Sequence, residues 1–269
     1  MDKIIGFIGG GNMASAIIGG MLQSGLAAKE QIIATAKTEH TLTSLRERFG
    51  IAAIADNQQA ARQADILFLA VKPYLFEEII AQIKDCIRPH TLIISIAAGQ
   101  TIKRIETLFE KSIKLIRAMP NTPALVGEAM SALCVNQNIT KAELADVMDI
   151  FNSFGKCETV PETMMDTVIG VSGSSPAYVY LFLEAMADAA VADGMPRAQA
   201  YKFAAQSVLG AAKMVLETGT HPGALKDAVC SPGGTTIEAV AALEHQGLRG
   251  AVISAQRACV QKSRDMTSK

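Results

Sequence analysis

The sequence predicts an α/β fold, with a doubly wound, mostly parallel sheet in its first half and an all-helical domain in its second. Three observations predict it. Short apolar runs alternate with segments of helical period as far as Met119. A glycine turn, Gly9-Gly10-Gly11, stands between the first strand and the first helix. After about Val160 the strand patterns stop and long, alanine-rich helical patterns replace them. Alternation of this kind makes parallel strands covered by helices on both faces.

Each element follows from its pattern. Lys3–Ile8 is a short apolar strand, and Met13–Gln23 carries Ala14, Ile17, Ile18, Met21 and Leu22 near helical spacing. Gln31–Ala36 is the second strand, Thr41–Phe49 a helix and Ile51–Ile54 a short third strand. Asn57 caps a helix through Arg62. Ile66–Val71 is continuously apolar, as expected of a strand covered on both faces. Helix returns over Tyr74–Ile87, strand over Leu92–Ile96, helix over Ile102–Phe109 and strand over Lys114–Met119. Ala129–Asn136 and Lys156–Val160 add edge strands, and Thr140 opens a helix with Glu143 at capping-box spacing. Helices then cover Pro176–Ala192, Arg197–Leu216, Gly223–Val229, Thr235–Glu244 and Leu248–Arg264. The two domains are therefore 1–160 and 161–269. The apolar helices exceed what one small bundle buries, so an oligomer is expected, with Val191, Ala192, Met195, Ala204, Ala205 and Val208 available to a partner helix.

Composition removes several function classes. The chain has 269 residues, a net charge of −1 and no concentrated basic block, which argues against nucleic acid. Five widely spaced cysteines fit neither a disulfide framework nor a zinc site and point to a reducing, cytoplasmic setting. Asp2 and the early glycine turn do not read as a secretory signal. No apolar run reaches the roughly 18 residues of a membrane span. His40, His90, His221 and His245 are isolated, so no metal is expected.

Gly9-Gly10-Gly11-Asn12-Met13-Ala14 fits G-x-G-x-x-G/A. Gly9 permits the tight turn, Gly11 clears space for a pyrophosphate, and Ala14 lets helix and strand approach. The exposed N–H groups and the helix dipole favour phosphate. Following a strand and preceding a helix, the motif predicts dinucleotide binding in a Rossmann-like domain. Strand two ends Ala36-Lys37-Thr38 rather than on an acid. Lys37 and Thr38 suit a ribose phosphate, so NADPH is favoured, with NADH an alternative. Arg46 is a second candidate for that phosphate but fits better on the solvated face of its helix, and Glu39 follows late for a ribose hydroxyl. Val71-Lys72-Pro73 ends the central strand, and Ala97, Ala98 and Gly99 leave room for a flat nicotinamide.

A second anion site is written in Ser231-Pro232-Gly233-Gly234-Thr235-Thr236-Ile237-Glu238. Thr235 and Glu238 have capping-box spacing, and Thr236 is placed at the first helical position. The glycines leave N–H groups open for a carboxylate, although a plain helix cap explains the same residues. No catalytic His–Asp pair stands out. A cyclic imine suits such a site, because its nitrogen already carries the proton that a ketone would need from a side chain.

The chain resembles the pyrroline-5-carboxylate reductase family over nearly its whole length. The resemblance is carried by Phe7–Ala14, by Phe68-Leu69-Ala70-Val71-Lys72-Pro73, and by Arg117-Ala118-Met119-Pro120-Asn121-Thr122-Pro123. Gly173-Ser174-Ser175-Pro176-Ala177-Tyr178 and Ser231–Ile237 complete it. It implies NAD(P)H-dependent reduction of 1-pyrroline-5-carboxylate to L-proline. It implies that Gly9, Gly10, Gly11, Asn12 and Met13 hold the cofactor phosphates, that Lys37 and Thr38 read the adenosine ribose, and that Asn57 contacts the cofactor. Val71, Lys72, Pro73, Ala97 and Ala98 shape the nicotinamide side. Ser231, Gly233, Gly234, Thr235 and Thr236 form the substrate loop, with Thr236 as the catalytic hydroxyl on the imine nitrogen. Thr235 stands where the family often has alanine or glycine. The resemblance also implies homodimers through swapped C-terminal helices, larger rings up to a decamer, and active centres that draw on two chains.

Two rivals remain at this level. A β-hydroxyacid dehydrogenase shares the glycine turn, but its catalytic lysine is missing from Ser174-Ser175-Pro176-Ala177-Tyr178-Val179-Tyr180. A non-enzymatic dinucleotide-binding protein would not require the second anion site.

Overall fold

The computed structural model describes residues 1–267. The first four apolar runs become β1 (Ile5–Ile8), β2 (Ile32–Thr35), β3 (Ala52–Ile54) and β4 (Ile66–Leu69). They are followed by β5 (Leu92–Ser95), β6 (Lys114–Met119), β7 (Ala129–Val135) and β8 (Gly155–Thr159). These eight form one sheet in the order β3-β2-β1-β4-β5-β6-β7-β8. Pairing is parallel from β3 through β6, antiparallel between β6 and β7, and parallel between β7 and β8. Every residue of β1, β2, β4 and β5 is buried, which explains their unbroken apolar character. Only β8 is an edge strand on that side; β7, expected at the edge, lies between β6 and β8.

Helices cover both faces. On one side α1 (Asn12–Gln23), α2 (Glu39–Phe49) and α6 (Lys141–Asn152) bury Ile17, Ile18, Met21, Leu42, Leu45, Val147, Ile150 and Phe151. On the other, α3 (Asn57–Gln63), α4 (Phe76–Ile83) and α5 (Ile102–Phe109) bury Ala60, Phe76, Ile80, Ile83, Ile105 and Phe109. The expected helix over Tyr74–Ile87 is shorter, because Pro73 opens a 3-10 turn before Phe76. Phe7 and Phe68 are register partners in β1 and β4, and their rings stack at 4.6 Å and 8°. The Thr140–Glu143 capping box forms as predicted. Burial works against the Glu143 charge, but hydrogen bonds from Lys114 and Thr140 prevail and hold its carboxyl below the usual range.

The remaining helices are α7 (Met165–Val168), followed by a π turn over Ile169–Gly173, then α8 (Ser175–Ala192) and α9 (Arg197–Thr218). After them come α10 (Pro222–Val229), α11 (Thr235–His245) and α12 (Leu248–Thr267). The chain divides into two compact units: residues 1–174 with the chain from Cys259 on, and Ser175–Ala258. The expected division at 160/161 runs inside the first unit. Specific contacts hold the intervening residues there. Met165 packs with Ala132 and Cys134. Glu162 accepts from Arg117 at 2.9 Å and from the Ile102 N–H at 2.8 Å, while the Asn121 amide donates to the Ser172 carbonyl at 3.0 Å. The last turns of α12 join through Ser263 on Asp166, at 2.6 Å, and Cys259 beside Ser174, at 3.2 Å.

The second unit is helical and shallowly buried. Its fully buried side chains are Ala187, Ala200 and Ala204, on the mutually packed α8 and α9. Ala204, expected to face a partner helix, is thus used within the chain. Larger apolar side chains stand in the open instead, among them Tyr180 (59% exposed), Phe203 (62%) and Leu216 (84%). Such apolar area marks an interaction surface. Among the described residues no helix is long and apolar enough to cross a membrane.

Gly155 begins β8 directly against β7. A β-carbon there would lie 2.2 Å from the Ala129 carbonyl oxygen and 2.5 Å from its nitrogen. Backbone atoms in a ladder yield little, so Gly155→Ala is expected to cost about 1–3 kcal/mol of stability. A thermal melt of the variant checks this; an unchanged midpoint contradicts it.

Candidate active site

The strand order reverses between β1 and β4, and the C-terminal ends of both lie on one edge of the sheet. Ligands of open parallel sheets bind at that switch point. The glycine turn occupies it. Gly9 has φ +101°, and a β-carbon there would come within 2.7 Å of the Ala70 carbonyl oxygen. Its N–H donates to Thr35 Oγ1 at 3.2 Å, anchoring the turn to β2. A β-carbon on Gly10 would meet Leu45 at 2.5 Å. On Gly11 it would meet nothing within 4 Å. Gly9 is therefore required by the backbone, Gly10 is confined by the Leu45 side chain, and Gly11 borders open space.

That space lies at the N-terminus of α1. Gly11 is the N-cap, no side chain caps it, and the first turn holds no acid. The leading N–H groups of a helix lack intrahelical acceptors and carry the positive end of the dipole. Ala14 is fully buried, and Met13 is half-buried against the core. Gly11 and Asn12 are exposed. These features fit a dinucleotide pyrophosphate.

The neighbouring strand ends provide the rest of the edge. Lys37 is exposed, with no ion pair among the described residues. Thr38 caps α2: its Oγ1 accepts from the Thr41 N–H at 3.3 Å and lies 2.9 Å from Thr41 Oγ1. Arg46 is exposed, as expected of a solvated face, and also donates to the Ala53 carbonyl and to Glu39. Asn57 is the first residue of α3 and donates to Gln82 at 3.0 Å. The cap expected of Asn57 is supplied by Asp56, which accepts from Gln58 and Gln59 at 2.8 and 3.0 Å. The one-residue difference arises because the carboxylate reaches two N–H groups at once.

Val71 is half-buried beyond β4, Lys72 is exposed, and Pro73 turns the chain into its 3-10 segment. Ala97 is buried, and Gly99 has φ +74°. Ala98 and Gly99 border a cavity of about 230 Å³, also lined by Ile169, Ser174, Cys259 and Lys262. Sequence reasoning did not associate Cys259 or Lys262 with this turn. Their helical period places them on α12, and no local motif signals the packing.

The second anion site forms at α11. Gly233 has φ +66°, and the Gly234 N–H closes a 3.0 Å bond to the Ser231 carbonyl. Gly234 is the N-cap and offers no side chain, so Thr235 and Thr236 are the first and second helical residues. The expected Thr235–Glu238 capping box is absent, as is the expected start at Thr236. The extended Gly234 brings the chain into the helix one residue early, leaving Thr235 past the capping position. The correction leaves the leading N–H groups without a side-chain acceptor, although Glu238 in the first turn opposes part of the dipole effect. Thr236 is half-buried; Ser231, Gly233 and Thr235 are exposed.

Titratable groups do not assemble into a rival centre. His90 approaches Asp65 at 3.8 Å, but Asp65 precedes β4, at the opposite edge of the sheet from the glycine turn. His221 caps α10 by accepting from Gly223 at 3.0 Å. Burial pushes the Cys134 and Cys157 thiols up, which keeps them protonated at neutral pH. No group of three metal-ligating side chains occurs among the described residues.

Comparison with known proteins agrees with both ends of the chain. A model described as pyrroline-5-carboxylate reductase dimerisation matches residues 162–266. A model of NADP oxidoreductase, coenzyme F420-dependent, matches residues 4–99. The chain is 52% identical to pyrroline-5-carboxylate reductase of Escherichia coli, covering 99% of each. A solved pyrroline-5-carboxylate reductase from Coxiella burnetii superposes with a TM-score of 0.93 at 35% identity, over 99% of both chains. The pyrroline carboxylate reductase of Plasmodium falciparum, solved with NADP bound, gives a TM-score of 0.88 at 33% identity, over 99% of this chain and 98% of that one. The chain belongs to the pyrroline-5-carboxylate reductase family: it is an NAD(P)H-dependent oxidoreductase that assembles with itself through its C-terminal helices.

Proposed function

We propose that this chain reduces 1-pyrroline-5-carboxylate to L-proline, with NADPH as the preferred reductant and NADH a poorer one. The observation that carries the reading is the open N-terminus of α1, where Gly11 borders space and no side chain competes for the N–H groups. Gly9, Gly10, Gly11, Asn12 and Met13 would hold the pyrophosphate, and Lys37 with Thr38 the ribose phosphate. Asn57 would contact the cofactor from the start of α3. Val71, Lys72, Pro73, Ala97 and Ala98 would border the nicotinamide. When bound, the cofactor supplies a hydride to the C=N carbon.

The protein's own part is positioning. The leading N–H groups of α11, with Ser231, Gly233, Gly234 and Thr235, hold the substrate carboxylate against the positive end of the helix dipole. Thr236 Oγ1 shares a hydrogen bond with the imine nitrogen and orients the ring. No strong base is needed, since a protonated imine carries its own proton. The same proposal includes a homodimer in which both chains complete each active centre, rings up to a decamer, and a cytoplasmic setting. The exposed apolar side chains of the second unit support the assembly, and the five unpaired cysteines support the reducing compartment.

Three variants test the reading. Gly11→Val is expected to weaken NADPH binding roughly tenfold or more, since the overpacking falls on the complex. The melting midpoint of the free protein should fall only by the loss of a favourable N-cap, because a β-carbon there meets nothing within 4 Å. Unchanged NADPH affinity by titration would place the pyrophosphate elsewhere. Lys37→Ala is expected to raise KM for NADPH by about tenfold while affecting NADH far less, as a charged hydrogen bond is lost only with the phosphate. Equal losses for both cofactors would remove Lys37 from the ribose site. Thr236→Ala is expected to lower kcat about tenfold, the worth of one hydrogen bond in the transition state, with NADPH affinity nearly intact. Full turnover at saturating substrate would reject its catalytic role.

A further inference from the structure

Glu39 and Arg46 stand beside the proposed ribose-phosphate position, and neither has a part in the reading above. Glu39 is the first residue of α2 and directly follows Lys37 and Thr38. A free carboxylate there would repel a 2′-phosphate held at Lys37 and Thr38. It is not free. Arg46 Nη1 donates to Glu39 Oε1 at 2.7 Å. The same guanidinium is fixed from its other side, with Nε at 3.1 Å and Nη2 at 2.7 Å from the Ala53 carbonyl oxygen of β3. Three of its nitrogens are thereby committed within the protein. Arg46 therefore does not extend to a phosphate while these bonds hold, and Lys37 stays exposed with no ion pair among the described residues.

We infer that Arg46 is a specificity-determining residue that acts indirectly: it neutralises Glu39 and so makes the strand-two end tolerant of NADPH. The inference rests on placing the ribose phosphate at Lys37 and Thr38. Its strength is bounded, because both partners are substantially exposed and salt screens such pairs. The anchoring to Ala53 supplies the geometric precision that a loose surface pair lacks.

The test measures Kd by fluorescence titration, beside KM, for NADPH and NADH with wild type, Arg46→Gln, Glu39→Gln and the double variant, at low and high salt. Arg46→Gln is expected to raise KM for NADPH about fivefold at low salt, the upper range for an exposed ion pair, and not to raise KM for NADH. The double variant should recover NADPH, because the unneutralised carboxylate is gone. High salt should shrink the Arg46→Gln effect. An equal rise for both cofactors, no recovery in the double variant, or an effect indifferent to salt would overturn the inference and leave Arg46 as a tie between α2 and β3. Lys37→Ala, assayed in parallel, separates the two levels. If Lys37→Ala discriminates between cofactors and Arg46→Gln does not, only this inference falls; if Lys37→Ala fails to discriminate, the ribose-phosphate placement falls with it.

Discussion

The close approach of the glycine turn to the sheet is the constraint on which the cofactor site depends. Gly9 lies against the Ala70 carbonyl and hangs its N–H on Thr35, so β1, β2 and β4 together fix where the turn leaves the sheet. Gly10 is confined by Leu45 of α2. Once those contacts are made, α1 starts at a set point with its leading N–H groups facing outward and Gly11 beside open space. Three glycines thus do different work: two satisfy the fold, and one leaves room for a ligand. The same physics recurs at α11 with different local chemistry. There Gly234 caps the helix with backbone alone, so the terminus stays without a side-chain acceptor.

Much of the fold was legible because burial imposes period. The unbroken apolar runs at Ile5–Ile8 and Ile66–Leu69 are covered on both faces, and the alternation of strand and helix leaves few arrangements of the sheet. Helix starts were less legible. Asp56 and Asn57 are both good caps, and only the bonds to Gln58 and Gln59 decide between them. Thr235 lost its capping role to a glycine whose extended backbone the sequence does not specify. The dimerisation match begins at residue 162, beside the expected boundary, yet residues 161–174 pack with the first unit, and that packing was illegible for another reason. It is decided by Glu162, Met165, Asp166 and Ser172 meeting partners far along the chain, and no local pattern encodes those meetings.

The second unit shows the opposite balance. Its helices were read almost to the residue, from Arg197 at the start of α9 to Val229 at the end of α10. Its packing was not. Ala187, Ala200 and Ala204 are the small side chains that let α8 and α9 approach, while Tyr180, Phe203 and Leu216 remain outside. An apolar helix announces that it will be covered, but periodicity alone does not say whether by its own chain or by another copy. Self-assembly through these helices resolves that question in favour of a second copy.

The most direct measurement is a crystal structure of the assembled protein with NADP and L-proline bound. The diphosphate is expected on the N–H groups that open α1, beside Gly11, and the proline carboxylate on those that open α11, with Thr236 Oγ1 at the ring nitrogen. A diphosphate seated away from α1, or a proline carboxylate held without the Ser231–Thr236 loop, would contradict that expectation.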